Sequence, residues 1–252
     1  MKRLENIGKN NLFYLSLIIL LGSLELGIDI LNIPNYILPK PTKVIEALYT
    51  QREILFRHTI ITLFEAILGL GISVILVLSV GSIIYPFKSI KKVLYPYLLI
   101  SQTIPLIAVA PIILIWFGFG ILPKVMIVVL ICTFPMLLSF LEGLDNVDKE
   151  MIELFKIMGG KKKYIFLKVI LPSSLPSFFS GLKIAATYAI MGAVIGEWLG
   201  AKSGLGIYMT RAISSFKTEN LFASIIVVII LSLGIFKAVE ILERKVMPWK
   251  RG

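Results

Sequence analysis

Six apolar segments, residues 12–31, 59–85, 93–116, 124–141, 172–199 and 221–239, leave this chain little choice of environment. Each is near the roughly 20 residues that a helix needs to cross the hydrocarbon core of a bilayer. Lipid offers no water to unpaired backbone groups, so only helices and closed barrels can span it, and segments of this length read as helices. A hydrophobic share of 57% and a mean hydropathy of +0.90 exceed what soluble domains show, about 45–50% apolar. The expectation is an all-α, polytopic protein: one membrane domain over residues 1–252, six transmembrane helices, and no internal repeat.

A net charge of +11 would suggest a nucleic-acid partner for a soluble chain. Here most of the lysines and arginines flank apolar segments, which points to membrane lipid and away from nucleic acid. With the N-terminus inside, 16 of them fall in the N-terminal tail, the 86–92 turn, the 148–172 stretch and the C-terminal tail, against 8 in the outer connectors when Lys124 at a span edge is included. The positive-inside rule therefore places both termini and the loop 148–171 in the cytoplasm. The basic residues 1–11 before an apolar core also have the form of a cleaved signal peptide, but no small-residue cleavage site follows.

Asp148 to Pro172 is a charged island between the fourth and fifth spans. Met151, Leu154, Phe155 and Met158 recur at helical spacing, with Glu150, Glu153 and Lys156 on other faces. Gly159 and Gly160 then predict a helix stop and a turn into a second short helix from Lys161 to Val169. Such a unit carries an apolar stripe without hydrophobic mass of its own, so it must dock onto something.

Polar residues within the spans are the remaining candidates. Gln102 and Thr103 precede Pro105, whose missing N–H frees a carbonyl in the third span, together with Pro96 and Pro111. Gln102 reads either as the lining of a path or as a cap for the kink. Glu65, Lys183 and Glu197 are carboxylates and an ammonium that should face protein or water rather than lipid; Lys183 and Glu197 join Gln102, Thr103 and Pro105 as translocation-path candidates. Glu25 and Asp29 share one face near the outer end of the first span and read as a solvated exit turn. Gly69, Gly71 and Gly81 should allow close approach of helices, and the small residues of the fifth span, from Gly181 to Gly196, should do the same, either to another helix or to the same helix of a second copy.

The residues carry no catalytic machinery that we can identify. A single Cys132 and a single His58 make neither a disulfide nor a zinc site. The glycine-rich run from Gly196 to Gly206 lacks a Gly-Lys-Ser/Thr ending, so it is no phosphate loop. No cofactor, no metal and no reaction by this chain itself are expected.

Glu153, Gly159 six positions on, and Val169-Ile170-Leu171-Pro172 resemble the cytoplasmic loop of permeases of ATP-binding cassette (ABC) importers, with the pattern Glu-Ala-Ala, three residues, Gly, nine residues, Ile, any residue, Leu-Pro. The spacing is complete; Leu154 and Phe155 stand for the two alanines and Val169 for the isoleucine. Leu38 to Thr42 (LPKPT), Gln102 with Ile104-Pro105 and Ala108 to Pro111, and Trp116 to Gly120 are similar to the nitrate, sulfonate, taurine and thiamine-precursor branch. The resemblance implies a type I importer permease fold in a bacterial inner membrane. It also implies a dimer of identical permeases, two ABC ATPase subunits and an extracytoplasmic solute-binding protein. For ATPase coupling it implies Glu153, Leu154, Phe155, Gly159 and Gly160, with Leu171 and Pro172 restarting the chain into span five. Ile195 to Trp198 resembles vitamin-related members, which favours a thiamine pyrimidine precursor over a sulfonate, taurine or nitrate. Outside this class, a secondary transporter would need more paired ionisable groups at mid-membrane, and an assembly protein would need no proline-broken span.

Overall fold

The computed structural model describes residues 2–251, and the side chains of Leu12, Leu15, Ser16 and residues 18–249. The described residues form helices and no strand. In order these are α1 (Lys2–Ile30), α2 (Pro41–Thr50), α3 (Arg52–Ile84), α4 (Lys88–Ser101), α5 (Leu106–Phe117) and α6 (Ile121–Asp145). They continue with α7 (Lys149–Ile157), α8 (Lys162–Ile165), a π turn (Phe166–Ile170), α9 (Leu171–Trp198), α10 (Leu205–Ser214), α11 (Thr218–Val246) and a final 3-10 turn (Pro248–Arg251). Four stretches are helical and apolar over a length that crosses a membrane: Arg52–Ile84, Ile121–Asp145, Lys162–Trp198 and Thr218–Val246; α4 and α5 make a fifth if counted as one bent span. The first expected span, 12–31, falls in α1, several of whose side chains lie outside the described residues.

The residues gather into two compact units. One comprises Met1–His58 with Tyr208–Val227. In it Glu25 and Asp29, four apart on α1, meet the chain that enters α2: Thr42 donates to Glu25 at 2.6 Å and Lys40 pairs with Asp29. The two carboxylates therefore fasten the connector rather than standing free. Tyr36 and Phe216 meet edge to face, and the Thr218 hydroxyl donates to the Asn35 carbonyl.

The other unit, Thr59–Ile207 with Val228–Gly252, is built on the pair α6 and α9. Their small residues interlock antiparallel. A Cβ on Gly143 would lie 2.5 Å from Ser177 Cβ, one on Gly181 2.8 Å from Ser139 Cβ, and one on Gly192 3.0 Å from Ile131, while one on Gly196 would lie 3.1 Å from the Lys124 Cα. The small-residue face of the fifth span is thus occupied by α6 of the same chain, not by its own copy in a second chain. Glycine on one helix or the other lets the backbones approach closely and bury Val128, Cys132, Met136, Phe140, Ala185, Ala189 and Ala193 between them. From α3, Gly69 and Gly81 meet Val128 and Phe140 of α6, whereas Gly71 faces open space. Two residues along a helix turn the side-chain direction by about 200°, so Gly69 and Gly71 cannot serve the same interface.

Two further features depart from the sequence reading. The span expected over 93–116 is broken at Gln102–Pro105, and its halves meet at 101°. Pro105 cannot donate to the preceding turn and disfavours helical geometry at Ile104. The amides of Gln102 and Thr103 accordingly bond only three residues back, to Leu99 and Ile100. Leu171-Pro172, expected to restart the chain, instead lies inside a helix that runs without interruption from Lys162 to Trp198. The Leu171 amide reaches five residues back to the Phe166 carbonyl, and this wider π turn makes room for the ring of Pro172 without breaking the helix.

If Gly69 is a contact and Gly71 is not, Gly69→Leu lowers the melting temperature of the purified permease by the equivalent of about 1–3 kcal/mol or more of overpacking, and Gly71→Leu leaves it within about 0.5 kcal/mol. Equal effects in thermal unfolding in detergent would contradict the observed phase of α3 against α6.

Candidate functional site

The island between α6 and α9 forms the helix, turn and second short helix expected from the sequence. Asp148 caps α7, its side chain accepting the Glu150 amide at 2.9 Å. At the other end the Gly159 amide bonds the Lys156 carbonyl at 3.0 Å and the Gly160 amide bonds the Phe155 carbonyl at 2.9 Å, the paired bonds of a Schellman stop. The two glycines have separate reasons. Gly159 holds φ +81, and a Cβ on Gly160 would lie 2.6 Å from the Phe155 carbonyl oxygen. Ile152 and Phe155 are half-buried against the body of the unit, while Glu153 is exposed. Leu154 at 56%, Ile157 at 84% and Met158 at 72% exposure, with Met151 beside them, present an apolar face left uncovered by the described residues. Leu171 and Pro172 lie beyond the π turn at the start of α9, removed in sequence from this face and separated from α7 by the Gly159-Gly160 turn and α8.

The break between α4 and α5 opens a second feature, a cavity of about 510 Å³. Ser101, Gln102 and Ile104 line it from the break, Phe134 and Pro135 from α6, and Tyr188 and Met191 from α9. No charged residue lines it. The Gln102 side chain has no hydrogen-bond partner among the described residues, whereas the Ser101 hydroxyl bonds the Leu98 carbonyl and the Thr103 hydroxyl the Ile100 carbonyl. Of the five path candidates, Gln102 alone reaches the cavity; Thr103 and Pro105 shape the break beside it.

Lys183 and Glu197 are engaged elsewhere. Lys183 forms an ion pair with Glu243 of α11. Glu197 is wholly buried: the Thr62 hydroxyl of α3 donates to its Oε1 at 2.7 Å and the Gly206 amide to its Oε2 at 2.6 Å, while Thr62 accepts the Leu205 amide at 2.8 Å. Leu205 and Gly206 open α10, so a carboxylate sits at a helix N-terminus, where partial positive charge favours it. A side chain at Gly204, φ +122, would collide with the Glu197 carboxylate. Beside it Glu65, 2% exposed, receives the Lys124 ammonium at 2.6 Å, and its Oε2 is buried without a hydrogen-bond partner among the described residues. Glu65, Lys124 and Glu197 interact electrostatically. The cluster therefore joins α3, α6, α9 and the start of α10 in one polar knot. Thr62 and Lys124 had not been singled out from the sequence. The available signal was depth: Glu65, Lys124 and Glu197 all stand towards one end of their helices.

Removing one partner of a buried ion pair leaves an uncompensated charge, which costs about 3–5 kcal/mol, while replacing both with apolar groups is often neutral. Lys124→Met should thus lower the melting temperature sharply, and Lys124→Met with Glu65→Met should recover most of the loss. A double variant no more stable than the single one would refute the pairing.

Comparison with known proteins agrees with this architecture. Residues 69–248 match the family described as binding-protein-dependent transport system inner membrane component. Over 252 residues, 100% of this chain and 99% of the relative, the sequence is 34% identical to the formylaminopyrimidine transport permease protein of Halalkalibacterium halodurans. Over 219 residues, 85% of this chain and 78% of the relative, it is 30% identical to a putative aliphatic sulfonates transport permease protein of Bacillus subtilis (strain 168). The fold is similar to a chain of the MetNI methionine ABC transporter in an inward-facing crystal form, at a TM-score of 0.65 and 19% identity, over 78% of this chain and 98% of that one. With its apolar helices, the type I importer fold and the match over most of its length, the chain belongs to the family of binding-protein-dependent transport system inner membrane components, the multi-pass permease subunits of ABC importers.

Proposed function

We propose that this permease carries a pyrimidine-type vitamin precursor, handed to it by an extracytoplasmic binding protein and driven by two ABC ATPase subunits that dock on α7 of each copy in a homodimer. Both termini and α7 then face the cytoplasm, in keeping with the excess of lysine and arginine on that side. The chain itself performs no reaction; ATP hydrolysis belongs to the partner subunits. The observation that carries the reading is the uncovered apolar face of α7, where Leu154, Ile157 and Met158 stand exposed on a helix capped at both ends. A capped helix tied into α9 transmits displacement to the spans, and Glu153 is placed beside this face to meet a basic group of the ATPase.

For the solute, the 34% identity with the formylaminopyrimidine permease and the character of the cavity beside the broken span point the same way. Its lining is mostly apolar and aromatic, with Ser101, the Gln102 amide and Tyr188 as polar groups and no cation. A planar heterocycle can stack on aromatic side chains and exchange hydrogen bonds with an amide. A sulfonate or nitrate would enter the same cavity without a counter-charge.

Gly159→Asp places a side chain at φ +81 with open space around it, so the strain is local, about 1–2 kcal/mol. The variant should insert and assemble normally yet lose solute-stimulated ATP hydrolysis in the reconstituted complex; full stimulation in a correctly assembled variant would overturn the coupling role. A thermal-shift screen of the partner binding protein against pyrimidine, flavin and sulfonate ligands should respond to the pyrimidine. A response confined to sulfonates would refute the solute assignment and leave the coupling role standing.

A further inference from the structure

We propose that the concavity between the first turn of α4, the end of α6 and α7 is a binding site for a phosphate-bearing anion, and that its occupancy ties α7 to the body of the permease. The concavity encloses about 880 Å³. Lys88, Lys91 and Lys92 line it from α4, and Lys149 and Lys156 from α7. Three carboxylates also line it, but two are already engaged: Asp145 pairs with Lys91, whose ammonium also donates to the Leu141 carbonyl at 3.0 Å, and Glu142 accepts the Tyr95 hydroxyl at 2.9 Å. That leaves Lys88, Lys92, Lys149 and Lys156, none with an ion-pair partner among the described residues, opposed by Glu153 and by Glu142, whose bond to a neutral hydroxyl does not cancel its charge.

Like charges gathered in a concave wall repel one another and focus a positive potential into the space between them. A counter-ion with several acceptor oxygens relieves this, and a phosphate can take several ammonium groups at once, each as a compact point charge. An aromatic or neutral solute would gain nothing there. Two sources present this chemistry. Phe87, Ile90 and Val93, interleaved with the lysines of α4, are exposed at 54%, 50% and 64%, as suits a site at the level of lipid headgroups, where each basic residue contributes about 1 kcal/mol toward anionic lipid. A free phosphate in solution offers the same oxygens. In either case the anion bridges α4 to α7, so that α7 is held by charge where its own apolar contacts are few.

The test measures the melting temperature of the full-length permease in a neutral detergent while phosphatidylglycerol, phosphatidylcholine or inorganic phosphate is titrated in. Phosphatidylglycerol should give a saturable rise and phosphatidylcholine none. Lys88→Gln with Lys92→Gln should weaken the apparent affinity roughly thirtyfold, two basic contacts at about 1 kcal/mol each. Lys161→Gln with Lys163→Gln, which removes equal charge outside the concavity, should not. All four lysines are exposed, so both double variants should melt like the parent protein without ligand. A saturable rise with inorganic phosphate identifies the free anion as a source, and a rise with phosphatidylglycerol alone identifies the lipid; both support the site. No saturable rise with either anion, or an equal loss in the two double variants, overturns it.

Discussion

Everything else in the larger unit depends on the close antiparallel contact of α6 and α9. At four levels a glycine on one helix admits the backbone or a small side chain of the other, so that each step up α9 is matched by an equal step down α6. In a bilayer, where lipid tails are as apolar as leucine, such approach replaces the hydrophobic effect as the source of helix association. The consequence for function is geometric. The chain leaves α6 at Asp145 and re-enters the helix leading to α9 at Lys162, and α7 lies between. Any displacement of α7 is thus delivered at the joined ends of the interlocked pair.

At the other end of α6 and α9 the polar knot performs a different task. Glu65, Lys124, Glu197 and Thr62 are each too polar to face lipid, and each is buried among the others. Two carboxyl groups share one ammonium, and the Thr62 hydroxyl and the Gly206 amide at the start of α10 supply Glu197 with further donors. The knot thereby fixes where the loop after α9 turns back. Glu197 is thereby held within the helix packing, as Lys183 is through its pair with Glu243.

How much was legible in the sequence follows the range of the interaction. Apolar length alone predicts the spanning helices, because lipid admits few alternatives. The cap at Asp148 and the stop at Gly159-Gly160 were readable because their bonds close within a few residues. The break before Pro105 was readable as a disturbance but not as an angle of 101°, since Pro96 and Pro111 carry the same missing donor and lie within intact helices. The phase of α3 against α6 was not readable at all: Gly69 and Gly71 look alike until the neighbour is known. The π turn before Pro172 likewise has no local signature, because the bond that defines it could equally have been an ordinary helical one. For the knot, the depths of three charged residues were on the page, but nothing distinguished Thr62 from other hydroxyls.

The central claim is that the exposed face of α7 is where an ATPase takes hold. A photo-reactive side chain placed at Ile157, the most exposed large residue of that face, tests it directly in membranes holding the assembled complex. Irradiation should join the permease to the ATPase subunit in high yield, and a control at the uncovered Ile115 of α5 should not. Cross-linking of Ile157 to lipid alone, in a complex shown to contain the ATPase, would contradict the account.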